Sequence, residues 1–196
     1  MRKVNKGLIL TIIVVIGLII YLVNLEKQRN EEKTEIKSIC EKFIEITDKY
    51  SVFPKEKQVI NPNVNEEEYN QYITSMNKEL KNVMTPNEEA VLIQYQAIEE
   101  NLKNGYNELE ARTNQRRTIN KIIEYEFDGK QVTVRFENKV EQITKYFNGI
   151  EEQSEKKTFD ALFDEIILQK IKGDWKVIYA NLQFDEHDRY FDYMMF

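Results

Sequence analysis

Cysteine is nearly missing from this chain of 196 residues: Cys40 is the only one, so no internal disulfide can brace the fold and packing must do it. Histidine is as scarce, with His187 alone, and no Cys/His spacing suited to a metal ion occurs. Six glycines and three prolines leave no Gly-rich phosphate loop and no low-complexity tract. No nucleophile–base constellation is legible. Positive charge is also short: 28 basic residues stand against 34 acidic ones, a net charge of −6. Such a balance fits nucleic acid and other polyanions poorly. No cofactor and no metal are expected.

What the chain does have is an uncharged run from Gly7 to Val23, broken only by the polar side chains of Thr11 and Tyr21. Arg2, Lys3 and Lys6 precede it, and Leu25 extends it. Residues 7–25 as a helix rise about 28 Å, close to the ~30 Å of a bilayer core. A cleaved signal peptide has a shorter apolar core and small residues before the cut; "YLVNLEKQ" offers no A-x-A pattern. No cysteine follows the run directly, and Cys40 lies too far downstream for a lipoprotein; a buried core helix rarely lacks a polar face. The expectation is an uncleaved anchor. Three cations before the span, against mixed signs after it, place residues 1–6 in the cytoplasm and the remainder outside, at the cell membrane. Without those three cations the balance is 25 basic against 34 acidic.

The remainder is one domain long. Residues 26–50 carry apolar side chains at helical steps, among them Ile36, Cys40, Phe43 and Tyr50, and read as a charged stalk running into a first helix. At that spacing Cys40 is a small core residue rather than a reactive thiol. Pro54 and Pro62 break the pattern. Asn65 and Glu68 have capping-box spacing and open a second helix. Thr85, Pro86 and Glu88 open a third, which Gly105 stops. "NELEARTNQRRT" then reads as a polar loop before the period changes from helical to alternating. Ile119 to Phe127, Val132 to Phe147, Phe159 to Ile171 and Trp175 to Leu182 give four strands. Asp128-Gly129 suits a type I′ turn, "NGIEEQSEKK" is a polar connection, and Lys172-Gly173-Asp174 is the last turn. Three helices followed by four strands, with no parallel crossover, predict an α+β fold with helices on one face of a curved antiparallel meander.

This layout resembles the nuclear transport factor 2-like superfamily over 33–184, most of all in "FDALFDEIILQKIKGDWKVIYANLQF", where a long strand, a Gly-containing turn and a Trp open the closing strand. The resemblance implies a bent sheet wrapped around helices as a cone. With a short cytoplasmic end, one span and a stalk, it further resembles the inner-membrane scaffold proteins of type IV secretion and conjugation machines. It implies a non-enzymatic scaffold of a bacterial envelope complex that works through protein partners or self-association. The alternatives are a small-ligand or sensory module, and an enzyme with one carboxylate base. Abundant Lys, Glu, Asn and Ile suit an AT-rich bacterial genome.

Candidate site residues follow from the alternation. Asp160 and Asp164 share one strand face, while Glu165 falls in the row of Phe163 and Ile167. That row looks core-facing, which would raise the Glu165 pKa and suit it to general-base work. Tyr125, Phe136, Phe163, Trp175 and Tyr179 are the candidate lining of a ligand pocket, or else core filling. Arg112, Arg116 and Arg117 form the densest cationic patch outside the membrane and could meet an acidic partner. Asp185, Glu186, His187 and Asp188 cannot all face one ion without a special loop. Residues 185–196 form an apolar C-terminal tail whose Tyr190, Phe191, Tyr193, Met194, Met195 and Phe196 are candidate partner contacts.

Overall fold

The computed structural model describes residues 6–85 and 88–183, with side chains at 11–85 and 96–183. The chain divides into two compact units, Met1–Lys37 and Ser38–Phe196. A single helix, α1 (Lys6–Tyr50), begins in the first and ends in the second. In the first unit Ile12, Val15 and Tyr21 are 49%, 49% and 64% exposed, and the other large apolar side chains up to Val23 lie in the same range. This is one helix long and apolar enough to cross a membrane.

The second unit opens with the end of α1, whose Cys40, Phe43, Ile44, Ile46 and Tyr50 are buried. Burial, with Glu41 nearby, pushes the Cys40 thiol up to about 12, which keeps it an inert core residue. Helix α2 (Glu66–Leu80) starts with the expected reciprocal cap: Asn65 Oδ1 accepts from the Glu68 N–H at 2.8 Å, and Glu68 Oε2 accepts from the Asn65 N–H at 3.2 Å. Its buried stripe is Met76 and Leu80, followed by Val83 and Met84. Helix α3 (Glu88–Asn104) ends at Gly105, where a Cβ would lie 3.2 Å from that of Arg112. The Gly105 carbonyl accepts from the Arg112 N–H at 2.7 Å, so the helix end and the first strand approach at the one residue without a side chain.

Four strands follow as an antiparallel meander in the order β1-β2-β3-β4, giving the α+β architecture. They are β1 (Glu110–Asp128), β2 (Gln131–Phe147), β3 (Glu152–Ile171) and β4 (Asp174–Asn181). Strand β1 therefore starts inside "NELEARTNQRRT", and β3 inside "NGIEEQSEKK"; neither is a loop through its length. The first turn is Gly129-Lys130, with positive φ at Gly129 only, one residue beyond the expected Asp128-Gly129 pair. At the last turn Lys172 and Gly173 both have positive φ, the signature of a type I′ hairpin.

Strand β2 is regular, and its even-numbered residues from Val132 to Gln142 are buried. Its neighbours are not regular. Phe136 and Asn138 face Asp164 and Ala161, so β3 holds one residue more than β2 across this step. Ile167 and Leu168 face Tyr179 and Val177, which places an extra residue in β4. A β-bulge of this kind shifts the alternation by one and turns the following side chains to the other face. The buried row of β3 is thus Phe159 and Ala161, then Asp164, Ile166 and Leu168. In β4 it is Trp175 and Val177, then Ala180. This corrects three expectations: Phe163 and Tyr179 stand 58% and 41% exposed on the outer face, and Glu165 lies beside them instead of in the core.

Candidate functional site

A polar residue in an apolar strand row is the local sign of a site. In β2 that residue is Asn138, fully buried between Phe136 and Val140. Its Nδ2 donates to Asp164 Oδ2 at 2.5 Å. The bulge in β3 is what turns Asp164 toward it. From β1, Arg117 comes inward with its side chain fully buried, and its Nε lies 3.2 Å from Asp164 Oδ2. Arg117 Nη1 lies 3.3 Å from Asp48 Oδ1, at the end of α1. Its backbone N–H donates to Asp48 Oδ2, and Nη2 donates to the carbonyl of Gln183. Gln115 Nε2 donates to Asp48 Oδ1 at 3.1 Å, and Gln142 Nε2 donates to Gln115 Oε1 at 3.2 Å. The Gln183 N–H closes the cluster on Asp164 Oδ1 at 2.8 Å.

One guanidinium therefore serves two buried carboxylates. Burial raises the pKa of Asp48 and of Asp164; Arg117 and the donated hydrogen bonds oppose that shift, and for Asp164 the charge of Asp48 adds to it. With both acids ionised the trio carries one negative charge in excess, so the pair holds a proton above the ordinary carboxylate range.

A stability profile follows from that sign. Between the ordinary aspartate value of 3.8 and the raised folded value, the folded state binds more protons than the unfolded state. Stability contributed by the cluster falls as pH rises through that window and is unaffected below it. Urea unfolding of the full chain in detergent, from pH 4 to 8, is expected to show a steeper decline than the same series on Asp48→Asn. Parallel profiles for the two proteins would contradict this.

A second feature is a cavity of about 390 Å³ at the end of the sheet. Arg112, Gln142, Tyr146, Phe147, Lys157 and Phe159 line it, with the end of α3 beside them. Arg112 Nη1 is committed to Asn101 Oδ1 at 2.6 Å and approaches Gln115 Oε1 at 3.3 Å. Phe147, Leu109 and Ile150 bring 40%, 58% and 88% exposed apolar side chains to the same end. Among the described residues no group of His, Cys, Asp and Glu has the arrangement of a metal site.

No family model matches the sequence, and neither does any curated protein. Among solved structures, the chain is similar to the intermembrane space region of chloroplast protein ARC6. The TM-score is 0.40 at 10% identity, over 75% of this chain and 92% of that one. No family is assigned.

The sequence-derived candidates scatter over the domain. Phe136 and Trp175 are buried, Phe163 and Tyr179 face outward, and Tyr125 is half-buried, with burial pushing its hydroxyl up to about 12. None of the five lines the cavity at the end of the sheet. Glu165 is partly exposed and paired with Arg135 Nε at 2.9 Å, in a surface network that includes Glu124 and Glu126. Its expected burial is replaced by that of its neighbour Asp164. Of the cationic patch, Arg117 is buried in the cluster and Arg112 is half-buried against α3, so neither is a surface cation for a partner; both lie on β1, where the extra residue between Arg112 and Asn114 brings side chains five apart to the same face. Arg116 between them is exposed. His187 and the apolar residues Tyr190 to Phe196 lie outside the described residues. Sequence reasoning missed Asp48, Gln115 and Gln183 as members of the cluster. Asp48 stands four residues after Ile44 on the buried stripe of α1, which was the available signal.

Proposed function

We propose that this chain is a membrane-anchored interaction protein, held by the helix over 7–25 and acting outside the cell through protein contacts rather than catalysis. The observation that carries the reading is a helix long and apolar enough to cross a membrane, whose apolar side chains from Ile12 to Val23 are exposed in their own unit and whose uncharged run over 7–25 rises about 28 Å. Supporting the non-enzymatic part, Phe136 and Trp175 fill the core, and each carboxylate of the cluster is held by several donors. Within this reading the finer assignment is a nuclear transport factor 2-like scaffold of a bacterial envelope complex, in the manner of a conjugation or secretion channel component. It rests on layout alone.

Protease added to intact, wall-stripped cells is expected to digest the domain, and the mature protein is expected to keep its N-terminus. Full protection of the domain, or a mature N-terminus beginning after Val23, would overturn the reading.

A second reading is favoured by one feature, the 390 Å³ cavity with Arg112, Lys157 and Tyr146 in its lining: the domain takes a small polar or aromatic ligand there.

A further inference from the structure

The buried cluster has two loose ends. Asn138 is fully buried, and its Oδ1 finds no hydrogen-bond donor among the described residues; neither does the buried Oε1 of Gln183. Both residues are bonded to the same carboxylate: Asn138 Nδ2 donates to Asp164 Oδ2, and the Gln183 N–H donates to Asp164 Oδ1. A native interior leaves few such acceptors, and each calls for a partner such as an ion or an ordered water. The charge of the cluster is also out of balance. Asp48 and Asp164 share the one guanidinium of Arg117, which leaves an excess of one negative charge away from bulk water. Both shortages are of one kind, because an acceptor oxygen and a surplus carboxylate each attract positive charge.

We propose that the cluster binds one monovalent inorganic cation, of the size of sodium or potassium, through its carboxylates and the amide oxygens of Asn138 and Gln183. Carboxylates and amide carbonyls are the oxygen ligands that hard cations select. With the cation bound, two positive charges meet two negative ones and the cluster is neutral. A divalent ion fits less well: among the described residues no three acidic or imidazole groups converge, and the excess is a single charge. Water in the same place would supply hydrogen bonds and leave the charge. A proton would remove the charge and donate to one oxygen only. Solvent ions have a way in. A cavity of about 500 Å³ lies between the end of α1 and β1, and Asp48, Gln115 and Arg117 form part of its lining. The inference does not depend on the proposed function. It makes a cation and a proton competitors for the same excess charge.

The test uses the full chain in detergent, unfolded by urea in sodium, potassium or tetramethylammonium chloride at one ionic strength. Equal ionic strength holds surface screening constant, and tetramethylammonium is too bulky to enter. At about pH 8 the ratio of folded to unfolded chain is expected to be at least about fivefold higher in sodium or potassium than in tetramethylammonium. At about pH 4, where the pair holds its proton, that difference is expected to vanish. Asp48→Asn removes the excess charge and is expected to abolish the difference. Gln183→Ala removes one amide oxygen, keeps the backbone bonds to Asp164 and Arg117, and is expected to weaken it. If Asp48→Asn does not fold, Gln183→Ala alone decides. Equal stability in the three salts at about pH 8 overturns the proposal and leaves the cluster to water or a proton. So does a difference that survives unchanged in either variant, or one as large at about pH 4 as at about pH 8.

Discussion

Replacing Arg117 with alanine is expected to lower stability by about 3–5 kcal/mol, because it strands two carboxylates in the interior. The guanidinium works in three directions at once: Nη1 toward Asp48, Nε toward Asp164 and Nη2 to the Gln183 carbonyl. An ammonium group is a single point and cannot serve all three, so Arg117→Lys should recover only part of the loss. The decisive comparison is a combination. Adding Asp48→Asn and Asp164→Asn to Arg117→Ala removes the unpaired charges and is expected to return a substantial share of the stability, although each carboxylate change alone is destabilising in the native background. Urea midpoints of the full chain in detergent measure all of these. A loss below 1 kcal/mol for Arg117→Ala, or strict additivity in the combination, would show that the cluster is not energetically coupled.

Trp175→Ala is expected to cost a similar amount, on the order of 3–5 kcal/mol, through a different cause. Trp175, the second residue of β4, is 3% exposed and meets Phe127 edge-on with ring centroids 6.4 Å apart. Lys170 Nζ lies 5.4 Å from the centre of its ring. Alanine would leave a cavity between the two ends of the sheet. The indole N–H has no hydrogen-bond partner among the described residues. Trp175→Phe removes that donor while keeping most of the volume, so its effect is expected to be well under half that of alanine. Equal losses for both variants would indicate that the indole nitrogen, and not packing, is what the site requires.

The regular parts of the sheet could be read from the sequence and the bulged parts could not. Strand β2 shows a clean period of two from Val132 to Val140, because every irregularity opposite it is absorbed by β1 or β3. The helix cap at Asn65 was equally plain, since it depends on residues three apart. Strand β3 has apolar residues on both faces around Ala161, Leu162 and Phe163, so no pattern marks where the alternation slips. That single slip exchanged Asp164 for Glu165 as the buried acid. The start of β1 was hidden for another reason. Its inward row there is Gln115 and Arg117, polar residues that read as loop unless their partners are known, and those partners are Asp48, Asp164 and Gln142.

Sequence separation gives the cluster a consequence in the order of assembly. Each strand pairs with the next one along the chain, so every hairpin can close from nearby residues as synthesis proceeds. The charge cluster draws instead on Asp48, Arg117, Asn138, Asp164 and Gln183. On a ribosome Asp48 emerges long before its partners, and while it waits it stays hydrated at no energetic penalty. Burial becomes favourable only when the chain through Gln183 has been made. The trio then acts as a test of completeness: a chain halted inside β4 can form most of its hairpins, yet it lacks the backbone groups that bind Arg117 and Asp164 at the closing end.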